Sequence, residues 1–209
     1  MSYYDLFSRV YDLAIERTYR PYRKQIADAL GLSADSRVLD VACGTGQNFA
    51  QLVAKLGPEG RVVGVDFSAG MLEVAHRRVD RHGYRQIELL RSDVQQLEAT
   101  DLTPLLGDKR PDRALCTLGL TVIPDWEAAV DRVLRLLEPG GRMVIFDIYA
   151  ETRVPQTYVA QLFARADVSR KTWLPLERQS VNFQRTVLPG SPHVHGGRPF
   201  IASGDKPQL

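Results

Sequence analysis

The chain has 209 residues, of which 44% are hydrophobic and 25% charged, as expected for an ordinary globular domain with a substantial core. The formal net charge of +2 is too small to predict nucleic-acid binding by itself. Cys43 and Cys116 lack metal or disulfide spacing, no apolar run approaches the ~20 residues that cross a bilayer, and no signal peptide is expected at the start. The composition therefore predicts one cytoplasmic domain.

The first 30 residues favour helix, with Pro21 dividing two segments. Five of the eight tyrosines lie in the first 22 residues, among several arginines. Aromatic rings with polar tips are suited to covering a pocket. We expect residues 1–30 to form a helical lid on a domain that spans 31–209.

Strands and helices then alternate along the chain. Apolar, β-branched stretches predict strands at 37–42, 61–66, 86–93, 112–120 and 142–150. Helices are expected at 46–56, 69–82 and 126–137, the last two capped by Ser68 and Asp125, and a weakly patterned helical stretch runs to about 107. This alternation favours a parallel sheet with helices on both faces.

The pattern changes after residue 150. One helix is predicted over 156–166, and a loop follows it. Two further strands, 180–188 and 198–204, are joined by a connection too short for a crossover helix, so they should pair antiparallel. The predicted fold is an α/β, doubly wound, seven-stranded sheet, mostly parallel with its last strand antiparallel, with helices on both faces and an N-terminal helical lid.

The stretch "VLDVACGTGQNF" (38–49) runs from a strand through a glycine-rich turn into a helix. Such turns present backbone N–H groups to a ligand. The small residues are Ala42, Gly44 and Gly46, and Phe49 takes the place of the third glycine of a dinucleotide fingerprint, which argues against a dehydrogenase. Asp40 would repel a pyrophosphate but suits a ligand that carries cationic groups. No G-K-[ST] follows, which excludes a nucleoside-triphosphate loop.

Two further acids follow neighbouring strands. Asp66 ends the second strand, where a carboxylate can accept hydrogen bonds from both hydroxyls of a ribose. Asp93 ends the third strand and could bond an adenine amine. Together with Asp40 they predict a crevice site at the carboxyl edge of the sheet.

The motifs "VLDVACGTGQN", "VVGVDFSAGML", "RSDV" and "LEPGGRMVIFD" resemble, in order and spacing, those of class I S-adenosylmethionine-dependent methyltransferases, over about residues 36–150. The segments "SRVYDLAIERTYRPYR", "TLGLTVIPDW" and "KTWLPLERQSVNF" are similar to those of the ubiquinone/menaquinone C-methyltransferases and bacterial phospholipid N-methyltransferases. The resemblance implies S-adenosyl-L-methionine as cofactor.

The resemblance also implies a set of cofactor-binding residues: Asp40, Ala42, Gly44, Gly46, Asp66, Phe67, Met71, Asp93, Val94, Thr117 and Leu118. Asp40 would lie beneath the methionine part, Asp66 would hold the ribose hydroxyls, and Asp93 would bond the adenine amine. Thr117 and Leu118 would face the sulfonium and the methyl acceptor.

Methyl transfer from a sulfonium is an in-line displacement with a neutral leaving group. Alignment of the acceptor, worth roughly 7–11 kcal/mol, then matters more than a strong base. An amine acceptor must still present a free lone pair, so a hydroxyl or carboxylate near it would help. The candidate catalytic residues are Tyr11, Tyr19 and Asp147.

Basic and aromatic residues recur near residue 170. Arg165, Arg170, Lys171 and Trp173 could form an interfacial patch with the lid, which would favour an anionic membrane surface and a peripheral position on the inner membrane face. A phospholipid headgroup amine is then the leading acceptor. A quinol carbon, or an oxygen or nitrogen of another small metabolite, is the alternative.

Other functions receive less support from the sequence. His193 and His195 lack the partners of a metal site, and no nucleic-acid partner is expected. A non-catalytic S-adenosylmethionine-binding protein on the same fold remains a further alternative. The acceptor, the number of methyl transfers and the oligomeric state are left open by the sequence.

Overall fold

The structure is a computed structural model that describes residues 17–152, 154–158 and 165–208. Its centre is a seven-stranded sheet in the order β3-β2-β1-β4-β5-β7-β6. The strands are β1 (Arg37–Val41), β2 (Arg61–Asp66), β3 (Ile87–Arg91), β4 (Arg113–Thr117), β5 (Arg142–Tyr149), β6 (Val181–Val187) and β7 (Arg198–Asp205). The first five strands are parallel, and β7 runs antiparallel to both β5 and β6. The predicted fold class is confirmed.

Helices connect and flank the strands. They are α1 (Arg23–Ala29), α2 (Phe49–Val53), α3 (Ala69–His82), α4 (Ala99–Leu102), α5 (Trp126–Leu136), α6 (Leu174–Gln179) and α7 (Pro192–His195), with 3-10 turns at Arg20–Tyr22 and Thr103–Leu106. Both predicted caps form, because Ser68 accepts from the Met71 N–H at 3.3 Å and Asp125 accepts from the Ala128 N–H at 3.2 Å. Capping satisfies first-turn N–H groups that have no partner inside the helix.

Two regions differ from the sequence prediction. The connection between β6 and β7 contains helix α7, and the predicted loop before β6 contains helix α6. Each begins with a proline in its first turn, which is compatible with a helix start because proline lacks the N–H that would be unpaired there. Residues 155–158 are helical, as predicted, while 159–164 of that predicted helix lie outside the described residues.

The sheet has an apolar core on each face, which explains why its strands read as continuous hydrophobic runs. Leu39 and Ile145 point to the face covered by α5 and α6. Val38 and Phe146 point to the face covered by α1, α2 and α3. Alternation along each strand therefore places Asp40 on the α1 face and Asp147 on the opposite face.

The predicted interfacial patch near residue 170 is wrong in one of its members, Trp173. Trp173 is only 6% exposed, and its ring packs edge-on against Tyr149 and Phe200 with centroids 5.0 and 5.1 Å away. The guanidinium of Arg170 donates to the Ile123 carbonyl at 2.6 Å. The aromatic ring belongs to the core, whereas Arg170 is partly exposed and also pairs with Asp167 at 3.4 Å.

Candidate functional site

A cavity of about 510 Å³ opens at the carboxyl ends of β1, β2, β3 and β4. This edge of an open α/β sheet is where ligands bind. All but two of the predicted cofactor-binding residues line the cavity, and those two are Asp40 and Gly46. The volume lies within the roughly 300–1,000 Å³ range of small-molecule and cofactor sites.

The glycine-rich turn after β1 bends through three residues with positive φ, namely Ala42 (50°), Gly44 (57°) and Gly46 (75°). At Gly46 a Cβ would overlap the ring of Phe49, which is fully buried. The phenylalanine in place of the third glycine is thus accommodated by the absent side chain at Gly46. A further close approach is seen at Gly119, where a Cβ would lie 2.7 Å from the Cβ of Ala42.

Asp66 connects the turn to the start of α3. One carboxylate oxygen accepts from the Gly44 N–H at 2.8 Å, and the other accepts from the Ser68 N–H at 2.9 Å. Burial raises the pKa of Asp66, and these backbone hydrogen bonds act in the opposite direction. The next residue, Phe67, is 66% exposed although it lines the cavity.

Asp93 lies at the next strand along the sheet. Its carboxylate accepts from the backbone N–H of Gln95 at 3.0 Å, which fixes the turn that follows β3. Asp93, Val94 and Gln95 all line the cavity, beside Met71 of α3. An acid and two apolar side chains therefore meet at the β2–β3 end of the cavity.

Asp40 lies beneath the cavity and is completely buried. The side-chain amide of Asn48 lies 3.4 Å from each of its carboxylate oxygens and 3.1 Å from Thr117 Oγ1. Burial raises the pKa of Asp40 to about 7, with Asn48 and Arg23 lowering it and Asp66 raising it further.

Arg23 completes this polar contact from α1. Its guanidinium donates to Asn48 Oδ1 at 2.8 Å and also to Gln47 Oε1. Arg23, Gln47 and Asn48 all line the cavity, and none was predicted as a site residue. Gln47 and Asn48 could have been predicted as site residues from the sequence, because they follow the glycines directly in "GTGQN". Arg23 could not, because the sequence shows it only as one of several basic residues.

The wall opposite the turn is the segment after β4. Leu118 has a φ of 58°, and Val122, Ile123 and Pro124 continue the wall, which is apolar. Arg165, which the sequence placed in the interfacial patch, also lines the cavity and is exposed. The cavity thus joins an apolar wall to the side chains of two arginines.

The structure does not bring the described candidate catalytic residues to this cavity. Tyr19 is 5% exposed, and its ring centroid lies 5.7 Å from that of Phe146 and 5.3 Å from that of His195. Asp147 is buried behind the wall, where its carboxylate accepts from Thr121 Oγ1 at 3.2 Å. Tyr11 lies outside the described residues.

Within the described part of the chain, no group of three or more His, Cys, Asp or Glu side chains could hold a metal ion. His195 packs instead in the ring cluster with Tyr19, and burial lowers its pKa. Among the same residues, no helix combines the length and apolar character that a membrane span requires.

The chain is similar in sequence to known methyltransferases. A model of the ubiE/COQ5 methyltransferase family matches residues 1–166. The demethylmenaquinone methyltransferase of Bacillus cereus is 28% identical over 151 residues, which are 72% of this chain and 60% of that protein. The chain thus spans about 60% of the length of the curated relatives it matches.

Solved structures share the fold. Phosphoethanolamine N-methyltransferase 2 of Haemonchus contortus, in complex with S-adenosyl-L-methionine, superposes with a TM-score of 0.76 at 15% identity, covering 100% of this chain and 60% of that one. The N-methyltransferase NodS of Bradyrhizobium japonicum superposes with a TM-score of 0.68 at 16% identity, covering 90% of this chain and 96% of that one.

Proposed function

The chain belongs to the ubiE/COQ5 methyltransferase family, and from this premise we propose that its cavity binds S-adenosylmethionine and that the protein transfers the methyl group to an electron-rich aromatic acceptor of the quinol type. Family membership confirms the resemblance predicted from the motifs. The single observation that carries the proposal is the placement of Asp66, Phe67 and Asp93 around one cavity beside the glycine-rich turn.

Each cofactor group has a matching residue in the cavity. Asp66 lies at the tip of β2, with one oxygen accepting from the turn at Gly44 and the other from Ser68, and the remaining lone pairs of this carboxylate suit ribose hydroxyls. Asp93 and Val94 lie at the tip of β3, which suits an adenine edge and face. Ionised Asp40 would provide negative potential beneath the cationic methionine part. The cofactor set predicted from the sequence is therefore retained in this proposal.

When bound, S-adenosylmethionine supplies an electrophilic methyl group on a sulfonium that departs as a neutral thioether. The protein's task is to orient the acceptor and exclude water. Thr117 and Leu118 at the end of β4 border the place where the acceptor would approach, and Val122 and Ile123 form an apolar wall against solvent. No base is needed at the sulfonium, whose S–CH3 bond breaks as the C–CH3 bond forms; the hydrogen of the acceptor carbon would then leave as a proton to water, since Tyr19 and Asp147 lie away from the cavity.

The acceptor is inferred from the charges of the cavity. Among the described residues, the acids that line it are Asp66 and Asp93, both at the end assigned to the nucleoside. Among the same described residues, the cations that line the cavity are Arg23 and Arg165. An apolar wall with nearby cations favours a flat ring with a partly ionised oxygen over an ammonium group. The relatives found by sequence similarity are demethylmenaquinone methyltransferases by name.

A phospholipid headgroup amine, the leading acceptor from the sequence, is the second candidate. The observation in its favour is that Arg23 and Arg165 line the cavity, because arginine pairs well with phosphate. The burial of Trp173 weakens this second candidate, because the aromatic side chain predicted to contact the membrane lies in the core.

The test is turnover with methyl-labelled S-adenosylmethionine and three acceptor conditions: a short-chain naphthoquinol with an open ring carbon, phosphatidylethanolamine vesicles, and no acceptor. We expect S-adenosylhomocysteine and labelled naphthoquinol in the first condition. Label in the lipid alone would transfer the proposal to the amine acceptor. Tight cofactor binding with no S-adenosylhomocysteine under any condition would overturn the proposed activity and support a non-catalytic binding protein.

A further inference from the structure

A chain of buried polar groups connects helix α1 to the floor of the cavity. We refer to Arg23, Asn48, Asp40 and Thr117 as the polar relay. Arg23 Nη1 donates to Asn48 Oδ1 at 2.8 Å, and the Asn48 amide donates to both oxygens of Asp40 and to Thr117 Oγ1. Arg23 and Asn48 are each 6% exposed and Asp40 is 0% exposed, so bulk water screens none of these contacts strongly.

The relay addresses an electrostatic problem in the site. A carboxylate as deeply buried as Asp40 favours its neutral form unless an opposite charge or hydrogen bond compensates. Asp66, on the neighbouring strand β2, makes the problem worse because it is a second negative charge. The thiols of Cys43 and Cys116 also face Asp40, but burial raises the pKa of both well above the usual range, so they stay neutral. Arg23 is the cation that acts on Asp40 among these neighbours.

We propose that Arg23 is a positioning residue that acts through Asn48 to keep Asp40 ionised and Thr117 oriented at the cavity floor. The inference rests on the proposed function, because an ionised Asp40 is useful only to a ligand with a cationic part. It also gives α1 a specific task, since docking of this helix delivers the charge that completes the site.

The geometry requires arginine rather than lysine at position 23. The guanidinium contacts Asn48 and Gln47 at the same time, one through each terminal nitrogen. A lysine has a single ammonium on a flexible stem and would reach one amide at a time. Arg23→Lys should therefore preserve the charge but lose part of the orientation of Asn48.

The experiment measures S-adenosylmethionine affinity by calorimetry between about pH 5.5 and about pH 7.5, and each variant is compared with the wild type at the same pH, because the ligand's own amino group, with a reference pKa of about 7.7–8.0, begins to titrate at the upper end. For the wild type, affinity should rise with pH, because the pKa of Asp40 is about 7. In Arg23→Met the midpoint should move up by roughly one pH unit, so that affinity is still rising at pH 7.5, and affinity at pH 7 should fall roughly fivefold. Arg23→Lys should give a smaller shift.

Three further variants separate positioning from general damage. Asn48→Leu should reproduce the Arg23→Met effect, and the double variant should be no worse than either single variant, because both interrupt one pathway. Lys24→Met removes the same charge from a side chain that is 80% exposed and should behave as the wild type. Asp40→Asn should remove the part of the pH dependence that responds to residue 23, so that Arg23→Met has little effect in that background, whereas any contribution of Asp66 should remain.

A measurement without ligand keeps the relay testable if the cofactor does not bind. The pKa of Asp40 is raised relative to its ordinary value, so the stability that Asp40 contributes is lost as pH rises through about 7. In Arg23→Met this loss should extend to higher pH, and Asp40→Asn should abolish the difference. An unshifted midpoint in both measurements would overturn the relay, as would equal weakening at every pH. Absence of cofactor binding with a shifted stability profile would overturn the proposed function alone.

Discussion

Asp66 is the side chain whose removal tests the proposed cofactor site most directly. It lines the cavity while its two oxygens accept from the backbone at Gly44 and Ser68. Asp66→Ala should weaken S-adenosylmethionine binding by at least ~1.5 kcal/mol, because hydrogen bonds to charged groups are worth about 1.5–3 kcal/mol each. Calorimetric titration measures this directly. Asp80→Ala, which removes an exposed acid from α3, is the control and should leave affinity unchanged.

The same substitution also removes two backbone contacts, so thermal unfolding must be followed in parallel. A folded Asp66→Ala variant with unaltered cofactor affinity would remove Asp66 from the binding site. A variant that loses affinity in proportion to its loss of folded protein would assign Asp66 a structural role only.

Phe67 offers a cleaner separation of binding from folding. Its side chain is 66% exposed and yet lines the cavity, so it contributes little to the core of the free protein. Phe67→Ala should lower cofactor affinity by about 0.5–1.5 kcal/mol, the usual value of an aromatic stacking contact. The melting temperature should stay close to that of the wild type. Val194→Ala, at 65% exposure on α7, is the matched surface control, and equal affinities for both variants would contradict the stacking assignment.

Sequence reasoning succeeded for residues whose place is set by the local chain. Asp66 and Asp93 follow directly from strands, and the parallel sheet brings strand ends to one edge. Arg23 and Arg165 could not be found in this way, because each reaches the cavity from a segment distant in sequence. Nothing local distinguishes Arg23 from Arg20, which is exposed.

At the scale of elements, the wall after β4 is held in place by hydrogen bonds with β5 and with residues 167–170. Asp147 of β5 accepts from Thr121 Oγ1, the Asp167 N–H donates to the Thr121 carbonyl at 2.8 Å, and Arg170 donates to the Ile123 carbonyl. Burial raises the pKa of Asp147 to about 7. The wall that would face the acceptor is thus hydrogen-bonded to Asp147, a carboxyl group whose pKa is about 7.

Asp147→Asn should change how stability depends on pH. The folded pKa of Asp147 lies above its unfolded value, so its contribution to stability is complete below about pH 4 and is lost as pH rises through about 7. The variant, which cannot ionise there, should lose less stability between about pH 5 and pH 8 than the wild type, by a few kcal/mol in order of magnitude.

Chemical denaturation at several pH values measures this difference. Asp108→Asn, an exposed position whose left-handed backbone (φ 58°) asparagine tolerates, is the control and should follow the wild type. Parallel stability profiles for Asp147→Asn and the wild type would contradict a buried, titrating Asp147.

The elements that the sequence missed are the short ones. Helix α6 has six residues and α7 has four, too few for a 3.6-residue periodicity to emerge. Each also begins with proline in its first turn, a residue that in isolation indicates a turn. Trp173 was misplaced for a related reason, because Arg170 and Lys171 precede it closely in the chain while its packing partners Tyr149 and Phe200 come from strands.

At the scale of the molecule, topology was the most predictable property. Alternating strands and helices fix a parallel sheet, and the short connection between the last two strands fixes their antiparallel pairing. The burial of individual groups depends on which face each element covers. The sequence therefore predicted that Asp40 and Asp147 end or approach strand tips but not that they lie on opposite faces of one sheet.

The predicted lid is tested by truncation, and the structure indicates where to cut. Tyr19 is buried in the core on the α1 face, and Arg23 belongs to the polar relay. Deletion of residues 1–24 would therefore remove core and site together, since loss of a buried aromatic side chain costs about 3–5 kcal/mol. Deletion of residues 1–16 leaves these groups in place.

The shorter truncation should retain cooperative unfolding and bind S-adenosylmethionine within about threefold of the full chain, a change of less than about 1 kcal/mol. Its turnover should fall by at least about tenfold, because acceptor orientation and exclusion of water would be lost with the lid. Full turnover would contradict a lid in the first 16 residues. Loss of cofactor affinity with an intact fold would instead assign those residues to the cofactor pocket, and Tyr11→Phe in the full chain would then show whether its hydroxyl is the group concerned.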